Sequence, residues 1–303
     1  MANSNTAYFP EIWAGETLRV LKDNFVLASL VHRDFEDDVA QAGDTVNTRR
    51  PAVFAAADKT VGTDYTASDA TATNLAIVLD KHKYVNFILE DSELAKSFTD
   101  LIPEYIEPAA VALADAIEAD LAALFSGFSN AVGTYGTNLA EATLLDARRK
   151  LQINQAPMDG QWRFVVHPDQ EKQLLQIANL VQADATGDSG KALQEATLGR
   201  RFGMTFYMSQ NTPKVVSGVS PSPQIRNCLF HRKAMALVTR RLPDPPEGLG
   251  VHAQTVVEGG IGIRALSGYD VRRGGISVTL EILYGVKELY DELGVLVKST
   301  GEA

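Results

Sequence analysis

The segment from residue 43 to residue 51 reads Gly43-Asp44-Thr45-Val46-Asn47-Thr48-Arg49-Arg50-Pro51 and decides the architecture of the chain. Its mixture of β-branched and polar residues is typical of an extended strand. The next segment, residues 52–73, is dominated by Ala, Thr, Asp and Gly, and its only large apolar residues are Val53, Phe54, Val61 and Tyr65. The chain then returns through two more strand-like segments, residues 75–79 and 84–89. We therefore expect residues 43–90 to form a long two-stranded arm with a polar, nearly coreless tip.

An arm of this kind needs support from outside itself. An isolated two-stranded hairpin is marginally stable in water, because it has no second layer against which to bury apolar surface. The simplest support is a neighbouring copy of the same protein. The sequence therefore predicts self-association.

Composition limits the other possibilities. The 303 residues carry a formal net charge of −10, with 45% hydrophobic and 22% charged residues, which is typical of a globular protein. The negative charge argues against a general nucleic-acid binder with a basic surface, but not against a container whose inner face tolerates DNA. The single cysteine, Cys228, excludes an intramolecular disulfide framework. We expect neither a transmembrane helix nor a signal peptide, because no long apolar run or basic leader is present.

The rest of the chain predicts an α+β body. The longest periodic element, residues 100–126, carries an apolar stripe, and Pro108 inside it should kink the helix. Its opposite face carries Glu104, Glu107, Asp115 and Glu118. A second helix is expected over residues 139–153. Strands are predicted over residues 162–166, 204–208, 225–230, 234–239, 251–258, 276–284 and 294–298.

Three glycine-containing motifs suggest chemistry, and each lacks a required part. Residues 185–192 end in a Gly-Lys pair but lack the early glycine and the magnesium-binding hydroxyl of a phosphate loop. Residues 187–190 resemble the nucleophile region of a trypsin-like protease only over four letters. Residues 260–265 match a dinucleotide fingerprint by letters, but no helix is predicted to follow. We interpret the last motif as a glycine-rich turn between strands.

The five histidines show no metal-binding spacing, and we expect no metal, cofactor or catalytic residue. A soluble hydrolase using His167 or His231 is the alternative from another functional class. We cannot assemble a convergent catalytic set around either histidine from the sequence. Most of the arginine doublets are expected on solvated faces or in ion pairs. The sharper hypothesis, which we apply to Arg49-Arg50, is pairing with the acidic patches at residues 34–38 and 115–120 of a neighbouring copy.

A set of short stretches, taken in order and with their spacing, carries a family resemblance. They are ETLRVLKDN at 16–24, GDTVNTRRP at 43–51, LDKHKYV at 79–85, EPAA at 107–110, HPDQE at 167–171, LGR at 198–200, FGM at 202–204, YMSQN at 207–211, FHRKA at 230–234 and ELGV at 292–295. Together they resemble the major capsid (coat) protein of tailed bacteriophages, in particular its podovirus coat-protein branch.

The resemblance implies the HK-ninety-seven-type (Johnson) capsid fold. In that fold, residues 1–42 would be the N-terminal arm and residues 43–90 the extended β-hairpin loop that lies over a neighbouring subunit. Residues 91–154 and 266–303 would form the peripheral domain, including a spine helix at 100–126. Residues 155–265 would form the axial domain.

The same resemblance implies a structural protein that self-assembles, as hexamers and pentamers, into an icosahedral shell around phage double-stranded DNA. A separate scaffolding protein and a portal at one vertex would be its partners, and the presence of a decoration protein stays open. The location would be the virion, after assembly in the host cytoplasm. A bacterial nanocompartment shell that packages an enzyme is the alternative with the same fold. The predicted inter-subunit contact residues are Arg49, Arg50, Phe54, Tyr65, Lys81, His82, Glu36, Asp37 and Asp38.

Overall fold

The computed structural model describes most of the body and two pieces of the arm. The described residues are 9–33, 45–50, 56, 58–62, 64–65, 73–91, 105–181, 198–216, 218–243, 245–246, 251–258 and 261–301. The phosphate-loop-like motif at 185–192 and the acidic patch at 34–38 therefore both lie outside the described residues.

The helices are mostly short. They are α1 (Phe9–Asn24), α2 (Leu27–Leu30), α3 (Glu107–Ala123), α4 (Glu141–Ile153), α5 (Pro168–Leu175) and α6 (Ala178–Val181). Helix α3 continues into a 3₁₀ turn, Leu124–Ser126, and two further 3₁₀ turns are Arg232–Ala234 and Asp291–Leu293.

The strands follow one another from the arm to the carboxyl end. They are β1 (Thr45–Arg50), β2 (Thr73–Val78), β3 (Lys81–Glu90), β4 (Ala131–Gly133), β5 (Trp162–Val166), β6 (Arg200–Arg201), β7 (Met204–Met208), β8 (Lys214–Val215), β9 (Gln224–His231), β10 (Met235–Arg240), β11 (Val251–Glu258), β12 (Ile261–Asp270), β13 (Gly275–Glu288) and β14 (Gly294–Thr300). This mixture confirms the predicted α+β class.

Two sheets and two cores make up the body. A five-stranded sheet has the order β10-β13-β12-β11, with β3 also paired to β13. Its inner face packs on α1 and α3 in the larger core. A seven-stranded sheet has the order β4-β14-β9-β5-β7-β6, with β8 paired to β9, and it packs on α4, α5 and α6 in the second core. Burial of these apolar faces provides the main driving force for folding.

The predicted domain limits differ from this grouping, because both groups are built from discontinuous segments. The strands between residues 162 and 231 lie in the seven-stranded sheet, but β10, β11 and β12 of the expected axial segment lie in the five-stranded sheet. Helix α4, expected in the peripheral domain, packs in the second core, and strand β14 contributes Leu296 to the larger core and Val295 and Val297 to the second. The chain passes between the sheets at the 3₁₀ turn Arg232–Ala234.

Residues 261–270 form strand β12, so the prediction of a glycine-rich turn at 260–265 was wrong. The strand is protected on both edges, by β11 and by β13. Ile261, Ile263 and Ala265 alternate onto the buried face and offset the conformational cost of Gly262. The turn lies later in the chain, where Gly274 has a φ of 59°.

The apolar stripe of the long helix is buried as predicted, with Leu113, Ile117 and Leu121 in the larger core. Pro108, however, is not deep inside the α-helix, which begins at Glu107. In the first turn a proline costs little, because that backbone N–H has no helical partner. The predicted part of the helix at residues 100–104 lies outside the described residues.

Glu118, predicted on the face opposite the apolar stripe, is 2% exposed. Its carboxylate accepts hydrogen bonds from the backbone N–H groups of Leu27, at 2.8 Å, and Ala28, at 2.9 Å. These amides begin the four-residue helix α2, which has no side-chain cap of its own. The charge of Glu118 thus joins the N-terminal segment to α3. Burial raises the pKa of Glu118, although the backbone hydrogen bonds oppose that shift.

Replacing Glu118 with Ala should destabilise the protein, because two buried amides lose their acceptor. We expect a loss of roughly 1–3 kcal/mol for each orphaned amide, measured as the free energy of unfolding in urea. Glu107→Ala is the matched control, since Glu107 lies on the same helix and its side chain is 41% exposed. Equal stabilities of the two variants would contradict the capping role.

The raised pKa of Glu118 also predicts a pH dependence of stability. Since the folded state holds the proton more tightly than the unfolded state, this group's contribution falls as pH rises from the unfolded value, 4.5, to the folded pKa. Glu118→Gln cannot titrate at this position. The stability of the wild-type protein relative to Glu118→Gln should therefore decrease with rising pH across that interval. A difference that increases or stays constant would contradict the shift.

Candidate functional site

The arm is the candidate functional site, and its base is a regular antiparallel hairpin. Strands β1 and β2 pair from Thr45 opposite Val78 to Arg50 opposite Thr73. The side-chain amide of Asn74 donates to Asn47 Oδ1 across the pair at 2.9 Å. These two strands form a separate two-stranded sheet, so they depend on the body for further support.

A small apolar cluster fixes the hairpin base to the body. Val46 and Ile77 of the hairpin, together with Leu79, pack on Ala236, Val238 and Leu289. The Lys287 ammonium donates to the carbonyl of Ala76 at 2.5 Å. This third cluster is distinct from the two cores of the body and orders the hairpin base without a second subunit.

The arm base and body approach so closely that one position requires glycine. A Cβ at Gly285 on β13 would lie 2.2 Å from the carbonyl oxygen of Val78. That oxygen belongs to the backbone, so it cannot move aside as a flexible side chain would. Gly285 therefore permits the contact between β13 and the end of the hairpin.

Arg50 attaches the hairpin base to the body through a further contact within its own chain. Its guanidinium lies 2.7 Å from Glu292 Oε1 and 5.1 Å from the centre of the Tyr290 ring. The hydrogen bond from Arg50 lowers the pKa of Glu292. The prediction for Arg50 named an acidic group of another copy, whereas the structure gives it an intramolecular partner.

Lys81 and His82 likewise have carboxylate partners in their own chain. Strand β3, which contains both, pairs with β13 along its whole length and so belongs to the body, although it was expected in the arm. Lys81 Nζ lies 3.3 Å from Asp120 Oδ1, and His82 Nε2 lies 2.8 Å from Glu281 Oε2. A contact between Lys81 or His82 and a neighbouring subunit would therefore compete with these contacts inside the chain.

Asp120 is the centre of a cluster of polar side chains that includes Lys81. It accepts a hydrogen bond of 2.5 Å from the Tyr284 hydroxyl and lies 3.7 Å from Lys83 Nζ. Burial, and then the hydrogen bond to Asp120, raise the pKa of Tyr284 well above its ordinary value. Asp120, in the acidic patch predicted to meet arginines of a neighbour, is thus already engaged inside the subunit.

Glu281 is the centre of a second polar cluster, which includes His82. It is buried in the five-stranded sheet, where Arg264 Nε donates to its Oε1 at 2.7 Å. His82 contacts the second oxygen, so both carboxylate oxygens have partners. Sequence reasoning missed Arg264 and Glu281, because they are 17 residues apart and meet only through the β12–β13 register.

The described part of the arm tip has a different character. Val61 is completely exposed and Tyr65 is 87% exposed. Lys59 Nζ lies 4.9 Å from the centre of the Tyr65 ring. The side chains of Val61 and Tyr65 are therefore both accessible to another molecule. Tyr65 is thus the predicted contact residue that the structure leaves most accessible among those it describes.

The remaining predicted contacts cannot be placed. Phe54 and the side chain of Arg49 lie outside the described residues, as do Glu36, Asp37 and Asp38. Among the residues that are described, no group of three or more His, Cys, Asp or Glu side chains could hold a metal ion. No helix in the described ranges is long and apolar enough to cross a membrane.

The two histidines of the hydrolase alternative have structural contacts. His167 Nδ1 accepts a hydrogen bond of 3.2 Å from the Asp169 backbone and caps α5, and burial lowers the pKa of His167. His231 is fully buried, with Nε2 lying 3.1 Å from Asp159 Oδ2. The cysteine thiol is also buried, and burial raises the pKa of Cys228 well above its ordinary value. A thiol in this state is a poor nucleophile.

The close approach at Gly285 can be tested directly. Gly285→Ala should push the Val78 carbonyl away, loosen the arm base and lower the free energy of unfolding by about 1–3 kcal/mol. Cleavage of the arm by a protease should become faster. Gly15→Ala is the control, because a Cβ at Gly15 meets nothing within 4 Å and alanine favours its helix. A Gly285→Ala protein with unchanged stability and cleavage would contradict the proposed packing.

Comparison with known proteins gives a consistent answer. The family model described as phage capsid protein matches residues 83–296. No curated protein matches the chain. Among solved structures, one from Mycobacterium phage Che8 has a TM-score of 0.68 at 20% identity, covering 90% of each chain. The capsid of the cyanophage P-SCSP1u has a TM-score of 0.63 at 14% identity, covering 86% of this chain and 85% of that one.

A virus-like particle from Pyrococcus furiosus is also similar, with a TM-score of 0.53 at 11% identity over 95% of this chain and 99% of that one. At these identities the structural matches establish a shared fold. The family model covers well over half of the sequence, from β3 to β14. The chain therefore belongs to the phage capsid protein family.

Proposed function

We propose that this protein is the major capsid protein of a tailed bacteriophage, with the HK-ninety-seven-type (Johnson) fold of the podovirus coat-protein branch. It self-assembles, through hexamers and pentamers, into an icosahedral shell that encloses double-stranded DNA. Its role is structural and involves no turnover of a substrate. The observation that carries the proposal is the arm, whose base is fixed to its own subunit while its tip exposes Val61 and Tyr65.

Energetics favour an assembly role for the tip. Exposed apolar side chains gain about 25 cal/mol for each Å² that a partner removes from water. The base is already ordered, so docking does not have to fix the whole hairpin at once. A shell repeats each such contact many times, which lets individually weak contacts hold a stable particle.

Partners and location follow from the same proposal. A separate scaffolding protein directs assembly, a portal occupies one vertex, and a decoration protein is compatible with the outer face. The DNA is enclosed without sequence-specific binding. The particle is assembled in the cytoplasm of the bacterial host and becomes the shell of the virion.

The second candidate is a nanocompartment shell that packages an enzyme cargo. The similarity to the Pyrococcus furiosus virus-like particle is the observation that supports this second candidate. The matches to the Che8 and cyanophage structures have higher TM-scores, so the phage shell is the better supported function. Particles purified from their natural source separate the two, because one holds phage DNA and the other holds an enzyme.

The assembly role of the tip predicts a separation between folding and shell formation. Replacing residues 55–72 with a short Gly-Ser turn keeps both hairpin strands and should leave the unfolding transition cooperative and its midpoint nearly unchanged. The same protein should fail to form closed shells. Sedimentation and electron microscopy measure assembly, and thermal melting measures folding.

A point variant tests the tip without shortening it. Val61→Ser combined with Tyr65→Ser should lower the yield of shells, because the tip loses its apolar contact area. Val251→Ser combined with Val271→Ser removes two exposed apolar residues away from the arm and serves as the matched control. Normal shells from the shortened chain or the tip variant would refute the assembly role. A shortened chain that cannot fold would place the tip in the core.

A further inference from the structure

A cavity of about 130 Å³ lies beside helix α4, far along the chain from the arm. It is lined by Arg148, Met158, Gly160, Trp162, Arg200 and Gly203. Two of its lining residues are arginines, and neither takes part in the clusters around Asp120, Glu281 or Glu292. The cavity is therefore a concave site with a concentrated positive charge in a chain of net charge −10.

The backbone lies close to both arginines and accepts a hydrogen bond from Arg148. Arg148 Nη1 donates to the carbonyl of Phe202 at 2.5 Å. Phe202 and Gly203 form the β6–β7 turn with φ angles of 51° and 77°. A Cβ at Gly203 would lie 3.6 Å from the Arg148 guanidinium, and one at Gly160 would lie 3.2 Å from Arg200 Nη2. The absence of side chains at both glycines lets the guanidinium groups lie close to the chain.

Asp159, which lies between the lining residues Met158 and Gly160, is not available to these arginines. Asp159 Oδ2 lies 3.1 Å from His231 Nε2, and Asp159 Oδ1 accepts a hydrogen bond of 3.0 Å from the Gln161 backbone. Within the described ranges, neither Arg148 nor Arg200 has a carboxylate at ion-pair distance. Two guanidinium groups on one cavity repel each other, and an anion between them would relieve that repulsion.

We propose that this cavity binds a surface carboxylate of a second copy of the chain and so forms a charged contact between neighbouring subunits of the shell. Guanidinium groups suit the planar, bidentate geometry of a carboxylate. The inference rests on the proposed shell function and adds to it a contact site that is independent of the arm.

The surroundings of the cavity favour a protein carboxylate over a DNA phosphate. Met158 is 67% exposed and Ile153, at the end of α4, is 61% exposed. Exposed Met and Arg together are typical of protein interfaces, whereas a DNA-facing surface is more polar and more strongly basic. A second copy also brings 38 acidic residues for every 28 basic ones, so carboxylates are abundant on the partner.

Charge reversal gives the first test. Arg200→Glu should leave the melting temperature nearly unchanged, because Arg200 is exposed, and should lower the yield of shells by roughly tenfold. Arg272→Glu is the matched control, with the same change of charge at the exposed β12–β13 turn. It should assemble as the wild-type chain does.

The outcomes of this comparison separate the two proposals. A wild-type chain that forms no shells even when it is produced together with its scaffolding protein refutes the proposed function, and the cavity contact with it. Shells from the wild-type chain, the control and the cavity variant alike refute the cavity contact alone. Normal empty shells that then fail to retain DNA also refute it, because the cavity would be binding phosphate.

A cross-linking test remains decisive if the charge-reversed chain fails to fold. Arg200→Lys keeps the positive charge and places an amine at the cavity, and a carbodiimide couples such an amine directly to a bound carboxylate. Shells are assembled from an equal mixture of chains with natural and heavy isotopes. We expect cross-linked peptides from position 200 to contain both isotopes, and only after assembly. Cross-links within one chain, or none, would overturn the proposal.

Discussion

Strand β13 forms backbone hydrogen bonds along both of its edges, and the rest of the molecule depends on this pairing. Residues 275–284 pair with β3 on one edge, while β12 and then β10 occupy the other. A strand that is paired on both edges has few free backbone groups and cannot shift register without disturbing three neighbours. Beyond the sheet, Tyr284 on the same strand reaches Asp120 of α3, and Gly285 meets the arm.

This arrangement explains how the arm base is attached to the body although its own sheet has two strands. The hairpin does not continue either body sheet, and it is held by an apolar cluster, one ammonium and one guanidinium. These contacts run along the described hairpin, from Val78 beside Gly285 to Arg50 beside Glu292. The chain therefore separates two requirements that would conflict in one surface: a permanent attachment at the base and an apolar surface kept for another molecule at the tip.

The sequence predicted features that depend on local periodicity. The stripe on α3, the return of the arm and most strands of the body were found, because helical and alternating patterns are visible in a single segment. It did not predict that β3 joins the body, since an alternating strand pairs equally well with an arm or a sheet. Nor did it predict β12, whose glycines suggested a turn although two flanking strands stabilise them.

Charged residues were the least predictable part. Arg50, Lys81 and His82 were expected to bind a neighbour, and each has a carboxylate partner in the same chain, between 39 and 242 residues away. Glu118 was predicted on the face opposite the apolar stripe, and its contact with the amides of α2 was not predicted. Which charges pair is decided by tertiary distances, and no local pattern in the sequence encodes them. The arginine cavity beside α4 was missed for the same reason.

The firm attachment of the hairpin base has a mechanical consequence for a closed surface made of one kind of subunit. A strand of six residues is about 20 Å long, so a rotation of about 10° about its body end would move its far end by about 3–4 Å. Arg50 stands at that far end and lies 2.7 Å from Glu292, so such a rotation would break the ion pair. The base is therefore held at both ends, and identical chains that meet at different angles in a closed surface would carry the same base.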